Sequence, residues 1–240
     1  MSAFFAALQF LTLFPYPKQM EHTDDDVGRA AIFFPVIGCI LGSILVLVNV
    51  LLEPFANAGL LSVILVSLLA FLTRGLHLDG VGDTFDGLGA GGNRDRMLSI
   101  MDDSHTGVFG LIAIVVVLLL KIHALEGMDL DRWRTLLAAP ILGRWAMVLF
   151  AYRAKAAKDG LGSRLIDHLQ TKHVLLATVL TLLLVAAIWR VNGIVMMAWV
   201  ALLTIASQKY FHRRLGGVTG DTFGAIGELS ETSVMVLLAL

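Results

Sequence analysis

The sequence predicts an all-α, polytopic membrane helical bundle with six to seven transmembrane helices and cytoplasmic glycine-rich motif loops, residues 1–240 forming a single integral-membrane domain. Composition is the first reason. Of the 240 residues 57% are hydrophobic and 15% charged, whereas soluble domains carry about 25% charge, and a mean hydropathy of +0.81 excludes an ordinary water-soluble globule. The second reason is the length of the apolar runs, since crossing the hydrocarbon core takes roughly 20 residues. The third is that Lys and Arg gather in alternate connecting segments.

Residues 1–15 are apolar but lack a basic leading stretch and a small-residue cleavage site. An interfacial helix stopped at Phe14-Pro15-Tyr16-Pro17 is therefore expected rather than a signal peptide. Spans are expected over 31–52, 59–73, 107–125, 134–152, 174–189 and 192–207, those at 59–73 and 192–207 needing their ends to continue as helix. The run 232–240 has nine residues and becomes a seventh span only if 226–230 join its helix. The lone Cys39 excludes an internal disulfide, a multi-cysteine zinc site and an iron–sulfur cluster, and reads as a small packed hydrophobe.

Lys and Arg number 18 against 19 Asp and Glu, so no basic excess draws the chain onto nucleic acid. Thirteen of the 18 fall on the side of the N-terminus and of segments 74–106, 153–173 and 208–230, and only Arg132, Arg134 and Arg190 on the other. That bias places the long segments in the cytoplasm, facing an active site that way across the cell inner membrane.

The polar, glycine-rich segments share that side and are able to converge. In the first, residues 74–87, Asp79, Asp83 and Asp86 are spaced i, i+4, i+7, within about 60° of arc on a helix. Carboxylates on one stripe repel unless a cation lies between them. A hard divalent ion, Mg²⁺, is expected because it joins a few carboxylates to substrate phosphates; a hydrated loop with capping aspartates is the plainer alternative. In the second segment Thr106-Gly107 at a helix start is an expected anion site, with Ser104 beside it and Arg94 and Arg96 available to phosphate. His105 is either an acid–base group or a surface histidine. In the third, Gly220-Asp221-Thr222-Phe223 repeats Gly82-Asp83-Thr84-Phe85. Asp221 and Glu228 are weighed as cation or substrate ligands, and Glu231 as a snorkelling or capping residue. Lys121 is expected to snorkel. Arg144, near mid-span, needs a carboxylate or phosphate partner, because a central arginine costs about 2.5–3.5 kcal/mol.

Phe10-Leu-Thr-Leu-Phe-Pro15, Gly28-Arg-Ala-Ala-Ile-Phe-Phe-Pro-Val-Ile-Gly38, Gly75-Leu-His-Leu-Asp-Gly80 with Asp83 and Asp86-Gly87, Arg96-Met-Leu-Ser-Ile-Met-Asp-Asp-Ser-His-Thr-Gly-Val-Phe-Gly110 and Leu215-Gly-Gly-Val-Thr-Gly-Asp221 run in order along nearly the whole chain. Together they resemble the cobalamin synthase family, the adenosylcobinamide-GDP ribazoletransferases. At Ala151-Tyr-Arg-Ala154 the chain departs from that family's Pro-Tyr-Ala-Arg, so the resemblance assigns Arg153 no role. It implies a Mg²⁺-dependent transfer in which a ribose hydroxyl of α-ribazole, or of its 5′-phosphate, attacks adenosylcobinamide-GDP and GMP leaves.

Within that reading Asp79, Asp83, Asp86, Asp221 and Glu228 are the metal ligands. Asp79, Asp83, Asp103 and His105 are the catalytic candidates, Asp103 being the first choice of proton acceptor. Arg74, His77, Arg94, Arg96, Ser104, Thr106, Arg144 and Arg214 are the substrate-binding candidates. The expected partners are the two small-molecule substrates and membrane lipid, with a homo-oligomer open. Two alternatives stand beside it. One is a CDP-alcohol phosphotransferase-like enzyme, disfavoured by the missing later aspartate pair. The other is a cation-coupled transporter, disfavoured because these carboxylates lie away from the midplane.

Overall fold

A backbone in hydrocarbon must satisfy its own polar groups, and a helix does so within one segment. In the computed structural model, which describes residues 2–15, 23–128 and 131–240, the apolar stretches are accordingly helical. The order is α1 (Ser2–Leu11), α2 (Asp24–Ala30), α3 (Phe34–Leu52), α4 (Ala58–Leu72), α5 (Leu76–Ala90), α6 (Arg94–Met101), α7 (Val108–Glu126), α8 (Arg132–Ala151), α9 (Leu161–His168), α10 (Thr171–Leu215) and α11 (Gly220–Ala239). A 3-10 turn, Ala31–Phe33, joins α2 to α3. Tyr16, Pro17 and Lys18, which entered the expected helix stop and the charge asymmetry, lie outside the described residues.

Five helices are long and apolar enough to cross a membrane; α4 passes the same test only together with α5, from whose direction it is bent by 87° at their junction. Arg74 and Gly75, with φ of 59° and 67°, make that bend. The 45-residue α10 is broken at Arg190, where φ is 49°. Tyr152 meets both of its ends: its hydroxyl lies 3.2 Å from Thr171 Oγ1, and its carbonyl accepts from Gln208 Nε2 at 3.0 Å. The chain therefore doubles back at Arg190, and the spans expected at 174–189 and 192–207 are the two arms of one hairpin. At the C-terminus, residues 226–230 join α11, giving the last run the 20 residues a span needs. The glycine-rich segments expected as loops are themselves largely helical, forming α5 and the first turns of α11.

α8 is the axis of the bundle and is buried along most of its length. α3 lies against it through Gly38 and Gly42. A Cβ at Gly38 would fall 2.4 Å from the Pro140 carbonyl oxygen, and one at Gly42 2.6 Å from that of Leu136. Small residues four apart let helix backbones touch in lipid. Pro140 has no N–H to give the Leu136 carbonyl, which turns its freed face to Gly42.

A buried charge cluster lies between α7, α8 and α11. Lys121 Nζ is 2.5 Å from both Glu228 Oε2 and Glu231 Oε1, and Arg144 Nη1 pairs with Glu231. All four side chains are at most 3% exposed. Two cations and two carboxylates cancel, which is how such groups are accommodated at membrane depth. Lys121 is thus no snorkelling residue and Glu231 no cap, because both are sealed inside the bundle.

Candidate active site

Two glycines bring α5 and α11 into backbone contact. A Cβ at Gly80 would lie 2.5 Å from the Asp221 carbonyl oxygen, and one at Gly224 would lie 3.1 Å from the His77 Cα. This places Asp79 and Asp83 beside the start of α11, where Thr219 is the N-cap and accepts from the Thr222 N–H at 3.2 Å. The Thr219 hydroxyl lies 3.2 Å from Asp221 Oδ2.

The segment between α8 and α9 is tied to the same point. Ala157 N–H donates to the Val218 carbonyl at 2.9 Å, and Val218 N–H to that of Lys155 at 2.8 Å. Lys158 Nζ then sits 2.5 Å from Asp102 Oδ1 and 3.1 Å from Asp221 Oδ2, bridging the segment after α6 to the start of α11. A cavity of about 210 Å³ opens here, lined among others by His77, Asp79, Lys158, Ser163 and Asp221. Burial first, then the neighbouring Asp79 and Asp221 carboxylates, push the Asp83 carboxyl up to about 7; the Lys158 ammonium only partly offsets them.

Other expected site residues are engaged elsewhere. Asp86 accepts from Gly107 N–H at 2.7 Å with one oxygen and from Gly110 N–H at 2.8 Å with the other. It caps α7 and is not left over for metal, and the N–H groups expected to form an anion site at Thr106-Gly107 are filled by this carboxylate. Glu228 is committed to Lys121 and Arg144 to Glu231, so the phosphate partner considered for Arg144 is replaced by a carboxylate. Arg94 donates through Nε to the Leu215 carbonyl at 2.7 Å and through Nη2 to that of Ala157 at 2.9 Å. Rather than meeting phosphate, it clamps together the two segments that carry Lys158 and Asp221.

Asp103 and His105 pair with each other at 2.7 Å on the surface, outside the cavity. The His105 backbone N–H, then its ring, hold the Asp103 carboxyl below the usual carboxylate range, which suits a proton acceptor poorly. Arg96, Ser104, Thr106 and Arg214 are exposed, the last touching Met97 Sδ at 3.8 Å. The repeated Gly-Asp-Thr-Phe is no structural repeat, for Phe223 is buried against Phe150 while Phe85 is exposed on the middle of α5. Lys158 and Asp102 are the residues that sequence reasoning missed. In the sequence Lys158 contributes only to the charge asymmetry and Asp102 stands only as the neighbour of Asp103; neither carries a local signal, because their pairing spans 56 positions.

Asp79, Asp83 and Asp221 are hard oxygen donors, of which Asp221 is paired with the Lys158 ammonium, a donor set that fits a divalent ion such as Mg²⁺ in kind. Among the described residues no three His, Cys, Asp or Glu side chains already form a metal-ligating group.

Fold and site together define a multi-pass helical membrane enzyme with a carboxylate-lined polar cavity. The chain belongs to the cobalamin-5-phosphate synthase family, whose profile matches residues 3–239, which makes it a transferase of cobalamin biosynthesis. It is similar to the adenosylcobinamide-GDP ribazoletransferases of Geotalea daltonii (38% identical, over 99% of this chain and 97% of the relative) and Roseiflexus sp. (37%, over 98% and 88%). That of Pseudomonas syringae pv. syringae is 37% identical over the full length of both. No solved structure matches.

Proposed function

We propose that the chain transfers the phosphocorrinoid group of adenosylcobinamide-GDP to α-ribazole or its 5′-phosphate, in a Mg²⁺-dependent reaction on the cytoplasmic side of the inner membrane. The ribose hydroxyl oxygen gives up its proton to solvent and forms a bond to the corrinoid-side phosphorus. The bond from that phosphorus to the oxygen of the GMP phosphate breaks, and adenosylcobalamin (or its 5′-phosphate) and GMP are the products. Donor and acceptor are taken from the names of the relatives. The observation that carries the reading is that Asp79 and Asp221 line one cavity with Lys158, and that Asp83 is close enough to feel the charge of all three.

Phosphoryl transfer asks chiefly for positioning and charge neutralisation. Asp79, Asp83 and Asp221 would hold Mg²⁺, which when bound supplies positive charge to the diphosphate. Lys158, on the same cavity wall, donates to phosphate oxygens. Arg94 and the Ala156–Val218 bridge hold Lys158 and Asp221 in register. Arg74 and His77 stay with the substrate side, while Asp103 and His105 take no part.

The test is GMP release by detergent-solubilised protein supplied with adenosylcobinamide-GDP, α-ribazole and Mg²⁺. Asp79→Asn and Asp221→Asn should each lower turnover at least 100-fold at ordinary Mg²⁺, a loss of about 3 kcal/mol in transition-state stabilisation. Near-normal turnover in both variants would remove the metal assignment, and absence of GMP from the unaltered protein would remove the reaction.

A further inference from the structure

A second cavity, of about 430 Å³, has Arg74 in its wall and is otherwise not used by the site above. It lies between α1, α2, the start of α3 and the bend between α4 and α5. Phe10 and Phe34 form an aromatic wall, their rings stacked with centroids 5.7 Å apart and planes 20° apart; Ala6, Val27 and Ala30 close the other sides. Its hydroxyls are already spent. Thr12 Oγ1 donates to the Leu8 carbonyl at 2.7 Å and accepts from Phe14 N–H at 3.2 Å, and Thr73 Oγ1 donates to the Leu69 carbonyl at 3.0 Å. Phe10 and Leu76 line both this cavity and the one that holds Asp79, Lys158 and Asp221. The two cavities are therefore neighbours, with the Phe10 and Leu76 side chains between them. At the rim, Arg164 is taken by Asp24 at 2.8 Å.

We propose that this cavity seats the planar, apolar base of the acceptor nucleoside, ribazole in the reading above, on which this inference rests. Three features select that occupant. The volume and aromatic wall suit a flat fused ring. The shared wall puts a sugar attached to the ring next to the carboxylates. The wall is mostly apolar and its hydroxyls are engaged with their own helices, so beyond Gln9 and Arg74 it offers little to the edge of guanine, whose amide and amine need partners when buried, whereas a benzimidazole brings no such edge. The other nucleoside in the reaction, the guanosine of the donor, belongs elsewhere.

Two measurements on the full chain in detergent test this. The first is α-ribazole and GDP affinity by equilibrium binding, without Mg²⁺ or corrinoid, for Val27→Trp and Ala6→Phe, which fill the cavity from separate helices. Each should weaken α-ribazole at least tenfold and leave GDP within twofold. The second keeps the cavity shape: Val27→Cys with Cys39→Ala should be labelled by a maleimide, and α-ribazole should protect it where GDP does not. Unchanged α-ribazole affinity in the filled variants, or protection by GDP alone, overturns the proposal. If the filled variants do not fold, protection of the cysteine variant decides the matter. Failure of the unaltered protein to bind α-ribazole at all points to the reaction assignment. Binding that survives a filled cavity points to this site alone.

Discussion

At the residue scale, carboxylates that look alike in the chain have three different jobs. Asp79 lines the polar cavity with Asp83 close behind it, Asp86 holds the start of α7 with both oxygens, and Glu231 neutralises Lys121 and Arg144 inside the bundle. Asp86→Ala removes two charge-assisted caps and leaves two buried N–H groups, so it should cost about 2–4 kcal/mol and show as a lowered melting temperature. Asp79→Ala should lose activity without that drop; equal melting temperatures for the two variants would contradict the division. Asp83 has its own signature. Its carboxyl is raised to about 7, chiefly by burial, so the folded chain binds this proton more tightly than the unfolded one. Its contribution to stability is complete at acidic pH below the ordinary carboxylate value and is lost as pH rises through about 7. The melting temperature of metal-free protein should fall between about pH 4 and 7, and Asp83→Asn should flatten that dependence.

At the element scale, contact between backbones decides the architecture. α3 approaches α8 through Gly38 and Gly42, and α5 approaches α11 through Gly80 and Gly224. Gly38→Leu puts a branched side chain where a Cβ would already lie 2.4 Å from the Pro140 carbonyl oxygen, so the helices must separate; overpacking of this kind costs about 1–3 kcal/mol or more. Ser43→Leu, on an exposed position of the same helix, should be tolerated. Comparable thermal stability and detergent monodispersity for the two would count against the α3–α8 interface. The hydropathy pattern announced each helix, yet the glycines of the motif segments read as loop residues. Their cost in an isolated helix, about 1 kcal/mol each, is offset here by the helix contacts they permit.

At the scale of the whole molecule, α10 doubles back at Arg190 and α11 extends through 226–230 to 20 residues. Reporters fused after Leu88 and after Lys158 should read cytoplasmic, and one after Met128 periplasmic. Opposite readings for the first two would separate segments that Lys158, Asp102 and Asp221 bind together. The same arrangement explains why charge asymmetry and site location go together: the basic residues that set orientation include Lys158 and Arg94, which also assemble the cavity.

The sequence by itself determined the fold class, the positions of the apolar helices, the membership of Asp79, Asp83 and Asp221 in polar segments on one side, and the need of Arg144 for a partner. These follow from local quantities: hydropathy over about 20 residues, helical spacing, and the cost of a charge in hydrocarbon. Only the tertiary structure decided which carboxylate meets which cation. Glu228 and Asp221 look equally available in the chain, seven positions apart on one helix, but their neighbours come from α7 in one case and from the segments after α6 and α8 in the other. A charge is neutralised by whatever lies within a few ångströms of it, and across 56 to 110 positions of chain that is set by how the helices pack.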